Sequence, residues 1–364
     1  MHRWTWASVP SQVGRHAVVT GANRGIGLAV TRALARSGAS VTMLCRDVAS
    51  GDRAAGAVTD ALRAEREKPG NSAAPPPGEL FVRHCDLLSL NSVRAAAAAI
   101  TLPVDLLINN AGCMQAEGAR TNISRVDGGW PVAAESALPS AAASPHRVAL
   151  ERQVAANHLG HFALAGLLMP RLQQQARPDG SSFAGGKVVA VSSAATWMLL
   201  AQNAIPKEIA RLAPHLPPPT NAGANPFELA KGEQPFLSYA VSKGFNILFA
   251  HELGRRCAAR GNGVTAAVAH PGGVDTDIIP PQMMPKALRF LLQSPEDGAA
   301  PIVRAATDPE GAAVAFWGPR VNILGTLVYG LPPLPARVPR PCADRAAAAA
   351  LWAASEAASG ISFP

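Results

Sequence analysis

The chain has little charge, few aromatic residues and only two tyrosines. Of its 364 residues, 16% are charged and 5% are aromatic, whereas 48% are hydrophobic, which is ample for a core. Nucleic-acid surfaces combine basic clusters with stacking aromatics, and no run of five lysines or arginines occurs here. We therefore interpret the net charge of +8 as scattered and solvated, and expect no nucleic-acid partner.

Cysteine and histidine lack the patterns of disulfide frameworks and metal sites. The five cysteines are odd in number and contain no Cys-x-x-Cys. Such usage is typical of reduced thiols in a cytosol-like compartment. His158 and His161 have no acidic residue or cysteine beside them in the sequence, so we expect packing or capping roles and no metal.

Long apolar runs are also lacking. No run reaches the roughly 18 residues that a membrane-spanning helix needs. The segment of about 15 residues before the first predicted strand is short for a transit peptide and lacks the apolar centre of a secretory signal. We expect no transmembrane segment and a cytoplasmic location, with organellar import as the alternative.

Short apolar runs alternate with helical spacing along most of the chain. This rhythm predicts an α/β fold, a Rossmann-type doubly wound parallel sheet with helices on both faces and right-handed crossovers. The predicted strands are His16–Thr20, Ser40–Cys45, 81–85, 104–108, 187–192, 263–269 and one near 312–317. The predicted helices are 26–37, 52–67, 91–100, 150–175 with a bend near Pro170, and 238–260.

Three stretches rich in proline, alanine or serine interrupt this rhythm. They cover about 69–78, 116–147 and 202–234. We interpret them as loop insertions in a single domain over residues 1–364. The Rossmann core would cover about 14–320, and a C-terminal extension about 321–364.

A glycine-rich segment follows the first predicted strand and opens the first helix. Gly21, Gly25 and Gly27 permit a tight turn and a close approach of the backbone to phosphate. The start of a helix favours a dinucleotide pyrophosphate through its N–H groups and its dipole. The spacing is Gly-x-x-x-Gly-x-Gly, and a chance cluster is the alternative in a chain with 32 glycines.

Tyr239 lies four residues before Lys243. On a helix these two side chains share a face. A neighbouring ammonium favours the phenolate, so such a tyrosine can exchange a proton near neutral pH. An ordinary surface pair is the alternative for this motif alone.

Five ordered motifs lie near the ends of predicted strands. They are the glycine motif, Asp86-Leu87, Asn109-Asn110-Ala111-Gly112, the set Asn157, Ser193, Tyr239 and Lys243, and Pro271-Gly272 with Thr276. In this order they resemble the short-chain dehydrogenase/reductase family. The runs 45–47 and 157–162 resemble its branch of retinol dehydrogenases and WW-domain oxidoreductases.

The resemblance implies hydride transfer between NADP(H) and a carbonyl or alcohol of an apolar small molecule. It implies that Tyr239 is the general acid in reduction and the base in oxidation, and that Lys243 lowers its pKa and binds the nicotinamide ribose. Ser193 would orient the substrate oxygen, and Asn157 would hold a water connecting Lys243 to solvent. Ser192 is expected to be structural.

The resemblance also implies a set of cofactor contacts. Asp86 would bind the adenine amino group, Asn110 would tie neighbouring strands near the adenine ribose, and Thr276 would meet the nicotinamide carboxamide. The full set is Gly21, Asn23, Arg24, Gly25, Ile26, Gly27, Arg46, Asp86, Leu87, Asn110, Ala111, Gly112, Tyr239, Lys243, Pro271, Gly272 and Thr276.

The end of the second predicted strand bears on the choice of nucleotide. NAD-preferring proteins usually carry an acid there, which binds the ribose 2′-hydroxyl, whereas this chain has Cys45 followed by Arg46. Together with Arg24, this arginine predicts a 2′-phosphate site and hence NADP(H). The alternative is that Arg46 faces solvent beside Asp47, a helix cap.

Three further expectations concern the wider protein. A low-activity NADP(H)-binding scaffold or redox sensor is the alternative function. By analogy, a homodimer would form through the helices bearing Asn157 and Tyr239. The insertion at 202–234 lies between Ser193 and Tyr239, which predicts a substrate-side flap, and a neutral surface loop is the alternative.

Overall fold

A computed structural model describes most of the predicted core. It covers residues 4–70, 75–114, 122–123, 150–173, 175–176, 182–201, 235–278, 289, 292–308, 316–321 and 329–364. The insertion at 202–234 lies outside these residues, as do most of 116–147 and residues 71–74 of the insertion at 69–78. The predicted flap therefore falls outside the described residues.

Twelve strands are described, and eight of them form one sheet. In chain order the strands are β1 (His16–Thr20), β2 (Ser40–Cys45), β3 (Leu80–His84), β4 (Leu106–Asn109), β5 (Asn122–Ile123), β6 (Leu150–Glu151), β7 (Gln175–Ala176), β8 (Ser182–Phe183), β9 (Lys187–Val191), β10 (Thr265–Ala269), β11 (Phe316–Val321) and β12 (Tyr329–Pro335). The pairs β5–β6 and β7–β8 lie apart from this sheet.

The strand order of the sheet creates a crevice at its centre. The order is β12-β11-β10-β9-β4-β1-β2-β3, and neighbouring strands are parallel except for β11 and β12. The chain runs outward from β1 to β3 and then returns to place β4 on the other side of β1. In sheets of this kind ligands bind outside the carboxyl ends of the strands at such a reversal. The predicted doubly wound α/β fold is confirmed.

Helices cover both faces of the sheet. They are α1 (Gly25–Arg36), α2 (Val48–Arg66), α3 (Leu90–Ala98), α4 (Arg152–Val154), α5 (Gly160–Leu172), α6 (Pro235–Arg260), α7 (Pro295–Thr307) and α8 (Arg345–Ser359). Strand side chains alternate between the faces, so Leu107 joins the core beneath α3, α5, α6 and α8, whereas Ile108 joins the core beneath α1, α2 and α7.

Helix α2 begins four residues earlier than predicted. Asp47 caps it, because its side chain accepts a hydrogen bond from the Ser50 N–H at 3.0 Å, as an N-cap residue does. Gly51 lies in the first turn without ending the helix. A Cβ at this position would lie 2.6 Å from Val82 Cγ1, so the glycine permits close packing of α2 on the sheet.

The helix predicted over 150–175 is less regular than expected. Residues 150–151 form β6, and a π-helical segment, Ala155–Leu159, joins α4 to α5. Helix α5 continues through Pro170 and ends at Leu172. The carbonyl of Leu172 accepts a hydrogen bond from the Gly186 N–H at 2.7 Å, which satisfies a group that the helix end would otherwise leave unpaired.

The C-terminal extension is built into the core. Helix α8 is capped by Asp344, whose carboxylate accepts from two N–H groups of the first turn. Trp352 is 1% exposed and stacks on Phe249 with ring centroids 5.9 Å apart. Phe363 lies on Trp352 at 4.7 Å, and the Arg256 guanidinium lies 4.6 Å from the Trp352 ring. Among the described helices, none is long and apolar enough to cross a membrane.

Replacing Trp352 tests the contribution of α8 to the core. We expect Trp352→Ala to lower the free energy of unfolding by about 3–5 kcal/mol, because it leaves a large cavity among packed aromatic rings. Urea denaturation measures this change. Leu102→Ala serves as a control, since Leu102 is 53% exposed and should change stability by less than about 0.5 kcal/mol. A loss below about 1 kcal/mol for Trp352→Ala would contradict the packing described.

Candidate active site

A cavity of about 760 Å³ opens at the carboxyl ends of β1, β2 and β4. Its wall is formed by the glycine-rich loop, the start of α2, and the segments 85–88, 110–114 and 275–278. It therefore lies at the crevice that the strand order creates. Pro271 and Gly272 lie close by in the chain but are not part of the described wall.

The glycine-rich loop presents backbone to this cavity. Gly21 and Gly25 have φ values of 63° and 54°, a region that side-chain-bearing residues rarely adopt. A Cβ at Gly27 would lie 2.2 Å from the Gly21 carbonyl oxygen. Only glycine therefore permits this turn to close against the start of α1.

The start of α1 suits a pyrophosphate. Arg24 is the N-cap residue of α1, and its side chain makes no hydrogen bond to the first turn. The first N–H groups of the helix are therefore not capped by Arg24. These groups and the positive end of the helix dipole favour an anion. Asn23 and Ile26 line the same wall. The loop thus has the donors and the side-chain-free space that a dinucleotide phosphate needs.

The segment after β4 is fastened to the end of β1. The Asn110 side chain donates to the Thr20 carbonyl at 2.9 Å, and the N–H groups of Asn110 and Ala111 donate to the Thr20 hydroxyl at 3.0 and 2.9 Å. Asn110 therefore ties the two strands, as the sequence predicts. Gly112 continues the wall: a Cβ on it would lie 3.1 Å from Lys243 Nζ.

Asp86 and Leu87 form the wall at the end of β3. One carboxylate oxygen of Asp86 accepts the Leu88 N–H at 3.0 Å, and the Asp86 N–H donates to Ser92 Oγ at 2.9 Å. These bonds hold the carboxylate at the cavity edge where the sequence predicts an adenine contact.

The end of β2 carries no negative side chain. Cys45 is buried, and desolvation raises the pKa of its thiol to about 11. Arg46 is exposed and lines the cavity. Arg24 also lines it, and its guanidinium lies 3.1 Å from the Asp277 carboxylate, with both side chains at least 70% exposed. Such exposed pairs contribute little, so Arg24 can exchange this partner for another anion.

The four predicted catalytic residues come together behind the Gly112 wall. Tyr239 and Lys243 lie on α6, and Lys243 Nζ lies 5.9 Å from the tyrosine ring centroid. Ser193 lies close enough to lower the pKa of Tyr239, and Lys243 Nζ donates to the Val191 carbonyl at 3.2 Å. Ser192 is structural, as expected, because its hydroxyl donates to the Lys243 carbonyl at 2.9 Å.

Burial controls the electrostatics of this group. Desolvation raises the pKa of Tyr239 to about 12, and the hydrogen bond from Ser193 offsets part of that rise. The predicted direction was the opposite, since Lys243 was expected to lower it. Lys243 is itself buried, and desolvation lowers its pKa to about 8. In this arrangement the loss of water outweighs the effect of the ammonium on the phenol.

Asn157 occupies the π-helical segment and anchors the wall. Its side-chain oxygen accepts the Cys113 N–H at 2.8 Å, and its amide donates to the Cys113 carbonyl and to Ser242 Oγ, both at 3.0 Å. Local π-helical geometry is frequent at functional sites. Cys113 was not among the predicted site residues, although it directly follows the predicted Asn-Asn-Ala-Gly run.

Thr276 supplies a buried polar atom at the cavity. Its hydroxyl has no hydrogen-bond partner among the residues that the structure describes, and the residue lines the wall opposite Gly25. A buried unsatisfied hydroxyl is costly, which fits a ligand contact there. Nearby, Gly272 has a φ of 79°, and the Pro271 carbonyl accepts from Gln293 at 3.1 Å.

Metal ligands are not assembled within the described part of the chain. No group of three or more His, Cys, Asp or Glu side chains there could hold an ion. His158 and His161 are both buried, and desolvation lowers the pKa of each to about 3. They pack and hydrogen-bond inside the helix layer, in line with the sequence-based interpretation.

Comparisons with known proteins agree with this arrangement. The model of the family described as short chain dehydrogenase matches residues 15–205. Mouse polyprenol dehydrogenase is 34% identical over 311 residues, which cover 83% of this chain and 74% of that protein. Human retinol dehydrogenase 14 is 33% identical over 319 residues, covering 83% and 76%.

A solved structure is similar over the whole chain. An uncharacterized protein from Mycobacterium paratuberculosis superposes with a TM-score of 0.63 and 31% identity, covering 100% of both chains. The family match and the relatives identify a dehydrogenase, and the fold agrees with this. The chain belongs to the short-chain dehydrogenase family, in its retinol-dehydrogenase-like branch.

Proposed function

We propose that this oxidoreductase uses NADP(H) to interconvert a carbonyl and an alcohol on an apolar small molecule. The observation that carries the proposal is that Ser193 and the buried Tyr239 and Lys243 come together behind the wall of a dinucleotide-sized cavity. The relatives are named for polyprenol and retinol, both apolar alcohols, which supports the substrate class.

The nucleotide would lie along the cavity from the glycine-rich loop to Gly112. When bound, it supplies the hydride. The start of α1 would hold the pyrophosphate, Asp86 the adenine and Thr276 the carboxamide. Arg24 and Arg46 would bind the 2′-phosphate, since guanidinium groups match phosphate oxygens and Cys45 presents no carboxylate to repel it.

Tyr239 and Ser193 would handle the substrate oxygen. In reduction, the tyrosine hydroxyl gives its proton to the oxygen of the carbonyl as that oxygen gains charge; in oxidation, the phenolate takes the proton from the alcohol. Ser193 donates a hydrogen bond that stabilises the developing charge. The side-chain oxygen of Asn157 accepts the Cys113 N–H, and an amide oxygen has two lone pairs. It can therefore still accept a hydrogen bond from the water expected between Lys243 and solvent.

The remaining sequence-based proposals concern the whole protein. The homodimer stays a prediction, and α8 already covers part of α6, burying Phe249 beneath Trp352. Dimerisation would therefore use the uncovered surface of these helices or another face. The cytoplasmic location also stays a prediction; the five cysteines, all within the described residues, form no disulfide.

Removing the charges of Arg24 and Arg46 tests the nucleotide preference. We expect the double variant Arg24→Gln, Arg46→Gln to weaken NADPH binding by about 10²- to 10⁴-fold, because it loses two charged hydrogen bonds and each contributes on the order of 1.5–3 kcal/mol. NADH, which lacks the 2′-phosphate, should bind nearly as before. Titration calorimetry measures both. Arg36→Gln is the control, since Arg36 pairs with Glu65 at the far end of α1. Equal losses for the two nucleotides would contradict the assignment.

Deleting the tyrosine hydroxyl tests the proton transfer. We expect Tyr239→Phe to lower turnover by about 10²- to 10⁴-fold, the usual contribution of general acid–base catalysis, and to leave NADPH affinity nearly unchanged. NADPH oxidation across aldehydes, ketones, quinones and retinoids supplies the substrate. If turnover stayed near normal, Tyr239 would not be the proton donor. If the wild-type chain bound NADPH but reduced none of these compounds, the result would support the alternative of a low-activity scaffold.

Replacing Lys243 tests the cost of burying its charge. Below about pH 8 the lysine is charged in both states, and its burial destabilises the folded state fully; between pH 8 and 10.5 the folded lysine is neutral whereas the unfolded one is charged, so the penalty fades. We expect Lys243→Met to raise the free energy of unfolding at pH 7, by as much as about 3 kcal/mol, while abolishing turnover. Urea denaturation at pH 7 and pH 10 should show this gain shrinking at the higher pH; a loss of stability at pH 7 would contradict it.

A further inference from the structure

The buried imidazole of His161 connects the catalytic helix layer to the nucleotide wall. His161 lies in the first turn of α5, directly after the π-helical segment, and is 2% exposed. Its Nδ1 lies 3.0 Å from the carbonyl oxygen of Asn157, and its Nε2 lies 2.8 Å from the Thr20 hydroxyl at the end of β1. Neither His161 nor Thr20 takes part in the proposed proton transfer.

The partners of the ring determine where its proton lies. A carbonyl oxygen can only accept, so Nδ1 must carry the hydrogen that faces Asn157. In a neutral imidazole Nε2 then holds a lone pair, which accepts the hydroxyl hydrogen of Thr20. Desolvation, and to a lesser extent the charge of Lys243, lower the pKa of His161 to about 3, so the ring stays neutral. His158 is the other titratable group beside it.

Because the Thr20 hydroxyl donates its hydrogen bond to His161, the lone pairs of its oxygen face the nucleotide wall. There it accepts the N–H groups of Asn110 and Ala111. The Ile108 carbonyl, 3.4 Å away, is a longer alternative acceptor for the hydroxyl. At 2.8 Å the bond to His161 is the shorter of the two, and it selects the orientation that serves the wall.

We name the segment 110–113 the hinge strip. Hydrogen bonds that start at Asn157 thus hold both of its ends. Asn157 binds Cys113 through its side chain, and its carbonyl binds His161, which holds Thr20 and through it Asn110 and Ala111. Gly112, in the middle of the strip, lies against Lys243 Nζ. The strip forms the boundary between the nucleotide cavity and the catalytic group.

We propose that His161 is a positioning residue for hydride transfer, which acts with Thr20 to hold the hinge strip in register with Lys243 and Tyr239. The inference rests on the proposed function, since it concerns the same site. A small displacement of a positioned reactant can cost about 10²-fold in rate. Loss of the bridge should therefore lower kcat more than it weakens nucleotide binding.

Three variants separate the parts of the bridge. His161→Phe fills the space and removes both hydrogen bonds, whereas Thr20→Val keeps the shape of the threonine and removes its hydroxyl. His161→Gln can restore an acceptor for Thr20. We expect the first two to lower kcat about 10- to 100-fold with NADPH Kd changed less than about threefold, and His161→Gln to recover part of the loss.

The double variant tests whether the two residues act as a unit. If they do, Thr20→Val with His161→Phe should lower kcat no further than the more damaging single change, since effects of coupled residues do not add. The inference would be overturned if the kcat losses of the two single variants multiplied in the double variant. It would also be overturned by a kcat within about threefold of wild type for either single variant. So would a His161→Gln variant no better than His161→Phe.

His158 provides the matched control. It is buried three residues earlier, but its Nε2 bonds to Ser355 on α8 at 2.8 Å and its ring lies among Phe162, Phe245 and Phe249. We expect His158→Phe to lower the unfolding temperature while kcat stays within about twofold. A fall in kcat equal to that of His161→Phe would show that any buried histidine here matters only for packing.

The hydrogen-bond bridge has a readout that needs no substrate. Nitrogen-15 NMR of labelled histidines should show His161 protonated at Nδ1, unchanged between pH 5 and 8, with its Nε2 resonance shifted by Thr20→Val. A proton at Nε2, or titration in that range, would overturn the inference. A wild-type chain that binds NADPH without reducing any carbonyl would reject the proposed function, whereas turnover that survives His161→Phe would reject the inference alone.

Discussion

The contact between the ends of β1 and β4 is the constraint on which the site depends. Thr20 accepts three hydrogen bonds, two from Asn110 and one from Ala111, at the point where the chain reverses across the sheet. Gly21 and Gly27 approach so closely there that a Cβ on Gly27 would lie 2.5 Å from the Asn110 amide. The glycine-rich loop, the nucleotide cavity and the wall before Lys243 all take their positions from this junction.

The proposed catalytic group lowers the stability of the protein, because it buries a charge. Tyr239 and Lys243 are almost fully buried. Burial favours the neutral form of each group, so it raises the pKa of Tyr239 and lowers that of Lys243. The Tyr239 phenol therefore keeps its proton near pH 7, whereas Lys243 is still charged there, and burying that charge costs folding free energy. Aromatic packing elsewhere, above all Trp352 between Phe249 and Phe363, offsets such costs. The C-terminal extension therefore supports the layer that holds the site.

The elements that follow from local pattern could be predicted from the sequence. His16–Thr20 and Ser40–Cys45 are continuous apolar runs, as buried parallel strands require, and both strands occur within those bounds. The glycine spacing likewise placed the dinucleotide cavity. The π-helical turn at Asn157 could not be predicted, because it depends on tertiary bonds to Cys113 and Ser242. The predicted direction of the Tyr239 pKa shift was wrong for a similar reason. The spacing on a helix indicates a neighbouring charge, but it does not show how much water the phenol loses on burial.

In the proposed reaction a hydride passes from NADPH to a carbonyl carbon while Tyr239 supplies the proton. Single turnover with NADPH deuterated at the transferring position of the nicotinamide tests it most directly. We expect deuterium on the carbinol carbon of the product in the wild-type chain, and product formation slowed at least about 100-fold in Tyr239→Phe at equal NADPH occupancy. Product without deuterium, or equal rates in the two proteins, would contradict it.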